Sequence, residues 1–542
     1  MNGLMQKFPL NLAYILEHAA RFHSQQEIVS QTIEGGMHRY TYADALVRTK
    51  KLANFLKDYG LEQGDRVATL AWNGYRHLES WFAISGYGAI CTTVNPRLFP
   101  EQISYILTHS KSRILLVDIT FVPLLEKIQH ELVHLEQVII LTDREHMPDH
   151  TIDGALCYED VLAATEEDAF DWPVLDEETG ASLCYTSGTT GDPKGVMYTH
   201  RSNLLMSAMT IGPDVFNLSS MTTMLVVVPM FHANAWGVVY AGPMVGAKLV
   251  LPGPHLDGKS IYEIIEREEI TSSLAVPTVW TGLLEYLQKN HLTLPLMKEV
   301  IIGGSAVSKS MVKAFQQDYG IEVIHGWGMT ELNPLGTANR PIAAQRHFTE
   351  EERLDYSLKQ GRPLFGVEMC IQDDEGRHLP HDGKSAGRLM VRGPWVVAKY
   401  YRQETEILDQ DGWFDTGDIA TLDDYGFMQI TDRAKDIIKS GGEWISSIDL
   451  ENSAMSHPRI QLAAIIGIPH PKWEERPLLI VQNNGDKTPE EAEIMDYLSS
   501  RVAKWWLPDA ICFVDSIPLA ASGKIDKKAL RKEFQDFTLP II

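Results

Sequence analysis

Over its first four-fifths the chain alternates short β-rich runs with helical stretches, and that rhythm restricts the fold more than any other feature. Strands are expected at 66–70, 113–117, 138–141, 224–228, 248–251, 273–276 and 300–302. Several are continuous apolar runs rather than alternating ones, the pattern of strands covered on both faces. Helical patterns such as 75–86 and 261–269 lie between them. The expectation is an α/β fold of layered βα units, with ligands held in loops beyond the strand ends.

A chain of 542 residues is too long for one core, so more than one domain is expected. The character changes after about residue 430. Residues 431–436 (Thr-Asp-Arg-Ala-Lys-Asp) pack charges between two better structured regions, and composition alone favours a solvated loop there. A tail of roughly a hundred residues follows, with apolar runs at 462–468 and 478–481. That is the size of a small α+β domain.

Lys and Arg total 48 against 72 Asp and Glu, a net charge of -24. A diffuse negative field repels phosphate, which disfavours broad contact with nucleic acid or anionic lipid. An anionic ligand then needs a local pocket rich in cations or N–H groups. The cysteines, Cys91, Cys157, Cys184, Cys370 and Cys512, are scattered and form no C-x-x-C pair, as expected of a reducing cytoplasm without a structural zinc site. No signal peptide or peroxisomal address is expected from the two ends. Residues 224–247 lack Asp, Glu, Lys and Arg and are long enough to span a bilayer. Pro229, Pro243, Gly237, Gly242 and Gly246 would break a lipid-facing helix, so a buried strand, a loop and a packed helix are expected instead.

The stretch Tyr185-Thr186-Ser187-Gly188-Thr189-Thr190-Gly191-Asp192-Pro193-Lys194-Gly195 concentrates phosphate-binding groups as no other does. Its three glycines let backbone N–H groups turn towards an anion, four hydroxyls add donors, and Lys194 adds a point charge. It lacks the Gly-Lys-Ser/Thr ending of a nucleotide-kinase loop, which disfavours a P-loop kinase.

This loop resembles the signature loop of the adenylate-forming superfamily of acyl-CoA synthetases, peptide-synthetase adenylation domains and beetle luciferases. Further motifs resemble that superfamily's in the same order: Gly326-Trp327-Gly328-Met329-Thr330-Glu331, Tyr400-Tyr401, Gly412-Trp413-Phe414-Asp415-Thr416-Gly417-Asp418, Thr431-Asp432-Arg433 and Gly523-Lys524-Ile525-Asp526-Lys527. Pro229-Met230-Phe231-His232-Ala233-Asn234-Ala235-Trp236 and Lys439-Ser440-Gly441-Gly442-Glu443-Trp444 look most like medium- and long-chain fatty-acyl-CoA synthetases and the related ligase for methylthiopropionate.

The resemblance implies a large N-terminal adenylate-forming domain (1–431), a hinge (432–437) and a small mobile C-terminal domain (438–542). It implies ATP, Mg²⁺ and coenzyme A, with a fatty acid as the acid and a methylthiopropionate-like short thioether acid as the alternative. The loop with Thr186, Ser187, Gly188, Thr189, Thr190, Gly191 and Lys194 would hold the β- and γ-phosphates. Glu331 would ligate Mg²⁺ with help from Thr186 or Thr330. Asp418 would accept from the ribose hydroxyls, and Trp327 and Arg433 belong with these nucleotide-binding residues. Gly304 and Ser305 would border the adenine, with His325 and Gly326 nearby. His232 and Trp236 would lie beside the acyl or nucleotide pocket.

In the same reading Lys524 would bridge the attacking carboxylate and the α-phosphate. Lys435 would be the hinge residue, Gly441 and Gly442 would line the thiol channel, and Lys439 and Trp444 would contact the nucleotide or stabilise one orientation. A homodimer is consistent with the resemblance. Rival readings are a peptide-synthetase module, disfavoured because only 18 residues follow Lys524, a luciferase-like oxygenase, and a non-catalytic nucleotide-binding protein, disfavoured by Lys524, Glu331 and Asp418.

Overall fold

The computed structural model describes residues 3–539 apart from 167–169, 187–191, 441–442, 484, 486–487 and 521–524; at 443–444 it describes the backbone only. The continuous apolar runs become strands buried along their whole length, such as Ile114–Val117 and Glu299–Ile302. The expected strands at 66–70 and 248–251 have those bounds, and the others fall within two residues of them.

Two largely parallel sheets form the bulk of the first 430 residues. In one, Glu322–Gly328, Glu299–Ile302, Ser272–Ala275, Thr223–Val226, Lys248–Leu251 and Glu27–Gln31 run side by side in parallel. Leu335–Ala338 adds to one edge as an antiparallel strand, and Met37–Thr41 to the other. In the second, Gln137–Ile140, Ile114–Val117, Arg66–Leu70, Ile90–Thr93 and Gly180–Tyr185 are parallel, and Gly195–Thr199 closes the edge as a hairpin.

The helix Tyr75–Tyr87 is buried from Tyr75 to Gly86, although it carries Arg76 and Glu79. Buried charges persist only when paired. Glu79 accepts from Arg48 Nε at 2.8 Å and from the Tyr158 hydroxyl at 2.7 Å. The helix stops at Gly88, whose φ of 99° is open to glycine.

Residues 224–247 resolve into the strand Thr223–Val226, a tight turn, and the helix Val238–Val245 ending at Gly246. No helix among the described residues is long and apolar enough to cross a membrane. A four-stranded antiparallel sheet, Glu368–Gln372, Gly387–Arg392, Phe414–Leu422 and Met428–Arg433, follows. The tail forms its own sheet. Ile460–His470 pairs antiparallel with Glu474–Asn483, and Ala510–Val514 joins the latter in parallel.

The charged segment at 431–436 departs from a solvated loop. The strand Met428–Arg433 runs into it, and Asp432 is fully buried. Its carboxylate accepts from the Ser447 N–H at 2.6 Å and the Ser447 hydroxyl at 2.9 Å. Burial pushes this carboxyl up to about 6, against the opposing pull of Lys527.

Candidate active site

The phosphate-type loop is the connection of a β-hairpin. Gly180–Tyr185 leads in and Gly195–Thr199 leads out, with Tyr185 opposite Gly195. The loop mouth is pinned where the Thr186 N–H donates to the Lys194 carbonyl at 2.9 Å. In return the Lys194 N–H donates to Thr186 Oγ1 at 3.1 Å. Ser187, Gly188, Thr189, Thr190 and Gly191 lie outside the described residues. Gly195 favours close approach: a Cβ there would lie a tight 3.1 Å from the Cβ of Tyr401, whose N–H donates to the Gly195 carbonyl at 2.8 Å.

That contact brings a residue absent from the expected site to its centre. The Lys194 ammonium lies 4.7 Å from the Tyr400 ring centroid. The Tyr400 hydroxyl donates to Glu331 Oε1 at 2.8 Å. Tyr400 therefore joins the loop cation to the carboxylate, and the Tyr400-Tyr401 pair was the visible signal for it. Burial, and then Glu331, hold the phenol far above its ordinary pKa, so it stays a donor. For the adenylation that the resemblance implies, Tyr400→Phe is expected to slow the reaction roughly ten- to a hundredfold, the worth of a hydrogen bond to a charged group. Acid-dependent pyrophosphate exchange measures this, and a wild-type rate would contradict it.

Glu331 sits in a tight turn between the strands Glu322–Gly328 and Leu335–Ala338. A Cβ on Gly328 would fall 2.2 Å from the Pro334 carbonyl oxygen, so the second glycine of Gly-x-Gly is required by the turn itself. The Thr330 carbonyl accepts from the Tyr198 hydroxyl at 2.6 Å, and the Glu331 carbonyl accepts from the Val397 N–H at 2.7 Å. The hairpin, this turn and the 397–401 segment thus meet.

Asp418 is 1% exposed and faces Arg433 across the register of two neighbouring strands. Its Oδ1 pairs with Arg433 Nε at 2.8 Å, and its Oδ2 accepts from Trp327 Nε1 at 3.1 Å. Trp327 lies over Gly336, where a Cβ would come 2.4 Å from its ring. The indole therefore fixes the carboxylate as well as walling the site.

The strand ends expected at an adenine are adjacent. Ile302 pairs with His325, and the next residues are Gly303 and Gly326. His325 is buried and its Nδ1 lies 2.9 Å from the Leu358 carbonyl; burial lowers its pKa to about 4 and keeps the imidazole neutral. Gly304 has a φ of 84°, and Ser305 is exposed beside it. Trp236 reaches the same place: a Cβ on Gly303 would lie 3.0 Å from the indole and 2.9 Å from the Gly326 carbonyl oxygen.

Trp236 arrives there on unusual backbone. Ala233, Asn234, Ala235 and Trp236 have φ of 45, 53, 47 and 54°, and Gly237 follows at 79°. Left-handed backbone costs a non-glycine residue roughly 1–2 kcal/mol. Other contacts must offset four such residues. His232, half-buried, precedes the turn and its carbonyl accepts from the Ala235 N–H at 3.2 Å.

In the tail, Lys435 and Lys439 are exposed, and the Lys435 carbonyl accepts from Arg531 at 3.4 Å. Lys439 pairs in register with Trp444. Gly441, Gly442, Lys524 and the Trp444 side chain lie outside the described residues.

The family profile described as "AMP-binding enzyme" matches residues 16–401, and "AMP-binding enzyme C-terminal domain" matches residues 449–524. The chain belongs to the AMP-binding enzyme family. This AMP-binding enzyme is 47% identical over 536 residues to the 3-methylmercaptopropionyl-CoA ligase of Ruegeria lacuscaerulensis, covering 99% of each chain. It is 46% identical to the medium-chain-fatty-acid–CoA ligase of Ectopseudomonas oleovorans, covering 99% of this chain and 98% of the relative. Among solved structures it resembles the anthranilate CoA ligase AuaEII in complex with anthranoyl-AMP, with a TM-score of 0.85, 26% identity, and 97% and 98% of the two chains covered. The layered α/β architecture with a smaller C-terminal unit is thus that of the adenylate-forming enzymes.

Proposed function

We propose that this AMP-forming acid–thiol ligase activates an unbranched monocarboxylic acid with an apolar tail and passes the acyl group to coenzyme A. The acid is a medium- or long-chain fatty acid or a short thioether acid such as 3-methylthiopropionate. The observation that carries this reading is full-length similarity, at 46–47% identity, to relatives named for both acid types. These acids share one chemistry, a carboxylate on a flexible apolar chain, because a thioether sulfur replaces a methylene at little cost in shape.

A carboxylate is a poor acyl donor because oxide would have to leave. Attack of a carboxylate oxygen on the α-phosphate of ATP expels pyrophosphate and leaves an acyl-adenylate, from which AMP departs readily. Both reactants are anions, so the site must gather positive charge and N–H donors. The Thr186–Lys194 loop takes the β- and γ-phosphates, with Lys194 held by Tyr400 at its rim. Asp418, fixed by Trp327 and Arg433, receives the ribose hydroxyls, and the Gly303–Ser305 and His325–Gly326 strand ends flank the adenine.

Glu331 fits a hard divalent cation. It offers carboxylate oxygen at the loop, and among the described residues no group of three or more His, Cys, Asp or Glu could hold a metal unaided. That donor set suits Mg²⁺, which keeps few protein ligands and takes the rest from phosphate and water. When bound, the ion supplies positive charge beside the polyphosphate. Lys524 bridges the two anions in the first step. In the second, rotation at Lys435 withdraws it and lets the thiol approach past Gly441 and Gly442, while Lys439 and Trp444 support one orientation.

The test is AMP release with coenzyme A across straight-chain acids from butyrate to palmitate, with 3-methylthiopropionate and benzoate included. A maximum in kcat/KM within the unbranched series or at the thioether acid is expected. Preference for benzoate would overturn the assignment.

A further inference from the structure

The left-handed turn at 233–237 needs an anchor, since four of its residues are not glycine and each is disfavoured in that hand. Asn234 is built to supply one. Its side chain is fully buried, and its amide nitrogen donates to Asn203 Oδ1 at 2.9 Å and to the Ser182 hydroxyl at 3.2 Å. Its oxygen accepts from the Cys184 thiol at 3.4 Å. Ser182 and Cys184 alternate along Gly180–Tyr185 and so share one face of the strand that runs into Thr186. Asn203 completes the ring by donating to the Ser182 hydroxyl at 3.3 Å and to the Thr199 carbonyl at 3.1 Å.

The other side of the turn is closed as well. A Cβ on Gly237 would fall 2.5 Å from the Met206 methyl, and the Trp236 indole rests against Gly303. With the turn pinned from below and packed from the side, Trp236 is held in one place.

We propose that Asn234 is a positioning residue for the acid substrate: through Ser182 and Asn203 it locks the left-handed turn that seats Trp236 against Gly303. The inference rests on the proposed ligase function and takes the acyl side of the two places open to Trp236, the acyl or the nucleotide pocket. It hangs the acid side of the site on the strand that leads into the phosphate loop, and because that strand is held in its own sheet by Ile90–Thr93 and Gly195–Thr199, loosening the turn leaves the ATP side in place. Four hydroxyl, thiol and amide side chains with no direct part in the chemistry gain a role by it.

The competing explanation is local. Asn tolerates a positive φ better than most residues, and its side chain would then be incidental. Asn234→Gly separates the two, because glycine keeps the backbone freedom and removes the anchor. Ser182→Ala removes one partner with little change of volume, and it carries the same test if the glycine variant does not fold.

With octanoate and 3-methylthiopropionate as probes, Asn234→Gly is expected to raise the acid KM roughly tenfold, while the KM for ATP stays within about twofold. Ser182→Ala should move the acid KM in the same direction, and the double variant should fall short of the product of the two effects. Trp236→Ala should raise the acid KM at least as far as Asn234→Gly. A wild-type acid KM in Asn234→Gly or Ser182→Ala, beside a raised one in Trp236→Ala, would overturn the positioning role alone. A parallel rise in both KM values marks a merely structural residue and also overturns it. An unchanged acid KM in Trp236→Ala would sink both the pocket assignment and the inference built on it.

Discussion

Lys524→Ala is expected to abolish acid-dependent pyrophosphate exchange and largely spare thioester formation from supplied acyl-adenylate, if Lys524 bridges the two anions as proposed. The reason is the charge arithmetic of the first step. A carboxylate must approach the α-phosphate, and a lysine ammonium between them offsets the repulsion only while both anions are present. By comparison with lost oxyanion donors, removal costs on the order of 10²–10³ in rate, about 3–4 kcal/mol. The second step has a neutral carbonyl carbon as its target and does not need that ammonium. Lys435→Pro is expected to give the reciprocal split, with adenylation persisting and thioester formation slowed, because a proline at the proposed pivot would restrict backbone rotation between the half-reactions. Equal loss of both half-reactions in either variant would refute the division of labour.

Asp418→Ala is expected to damage stability and nucleotide binding together. The side chain is buried, with Arg433 on one oxygen and the Trp327 indole on the other. Truncation leaves a guanidinium without its carboxylate and a buried N–H without an acceptor. Arg433 retains partial exposure, at 38% of its side chain, so water recovers some of the loss. A destabilisation of about 2–3 kcal/mol is expected by thermal melting. The KM for ATP should rise at least roughly tenfold in pyrophosphate exchange, since the carboxylate proposed to meet the two ribose hydroxyls is gone. Asp418→Asn keeps the shape and one acceptor, and should recover most of the stability but less of the binding. A wild-type KM for ATP in Asp418→Ala would contradict the ribose assignment.

The layered fold was legible because parallel strands covered on both faces are mostly apolar, as Ile114–Val117 is throughout and Glu299–Ile302 is after its first residue. The glycine of a close approach was legible too, although its reason was not. Gly328 is dictated by the Pro334 carbonyl behind it as much as by any ligand in front. What the sequence hid were relations between distant positions. Ser182, Asn203 and Asn234 are ordinary polar residues until folding brings them within 3.3 Å of one another, and no spacing rule announces a left-handed turn of alanines and a tryptophan.

Charge was misleading in the same way. Asp432 sits in a run that looks solvated, yet it is buried against the Ser447 backbone. Arg76 and Glu79, on a helix the sequence pattern did indicate, lie inside and are paired to Glu159 and Arg48. Trp327 appeared as a nucleotide contact; the structure also makes it the support of Asp418.

In the proposed reaction one cation-bearing pocket in an acidic protein joins a carboxylate to the α-phosphate before any thiol takes part. A single-turnover experiment with α-labelled ATP, Mg²⁺ and octanoate or 3-methylthiopropionate, without coenzyme A, tests it directly. Acyl-AMP and pyrophosphate should appear in equal amounts and remain bound, and a chase of coenzyme A should convert the acyl-AMP to thioester and free AMP. Release of ADP, or no phosphate-bond cleavage until coenzyme A is added, would contradict the account.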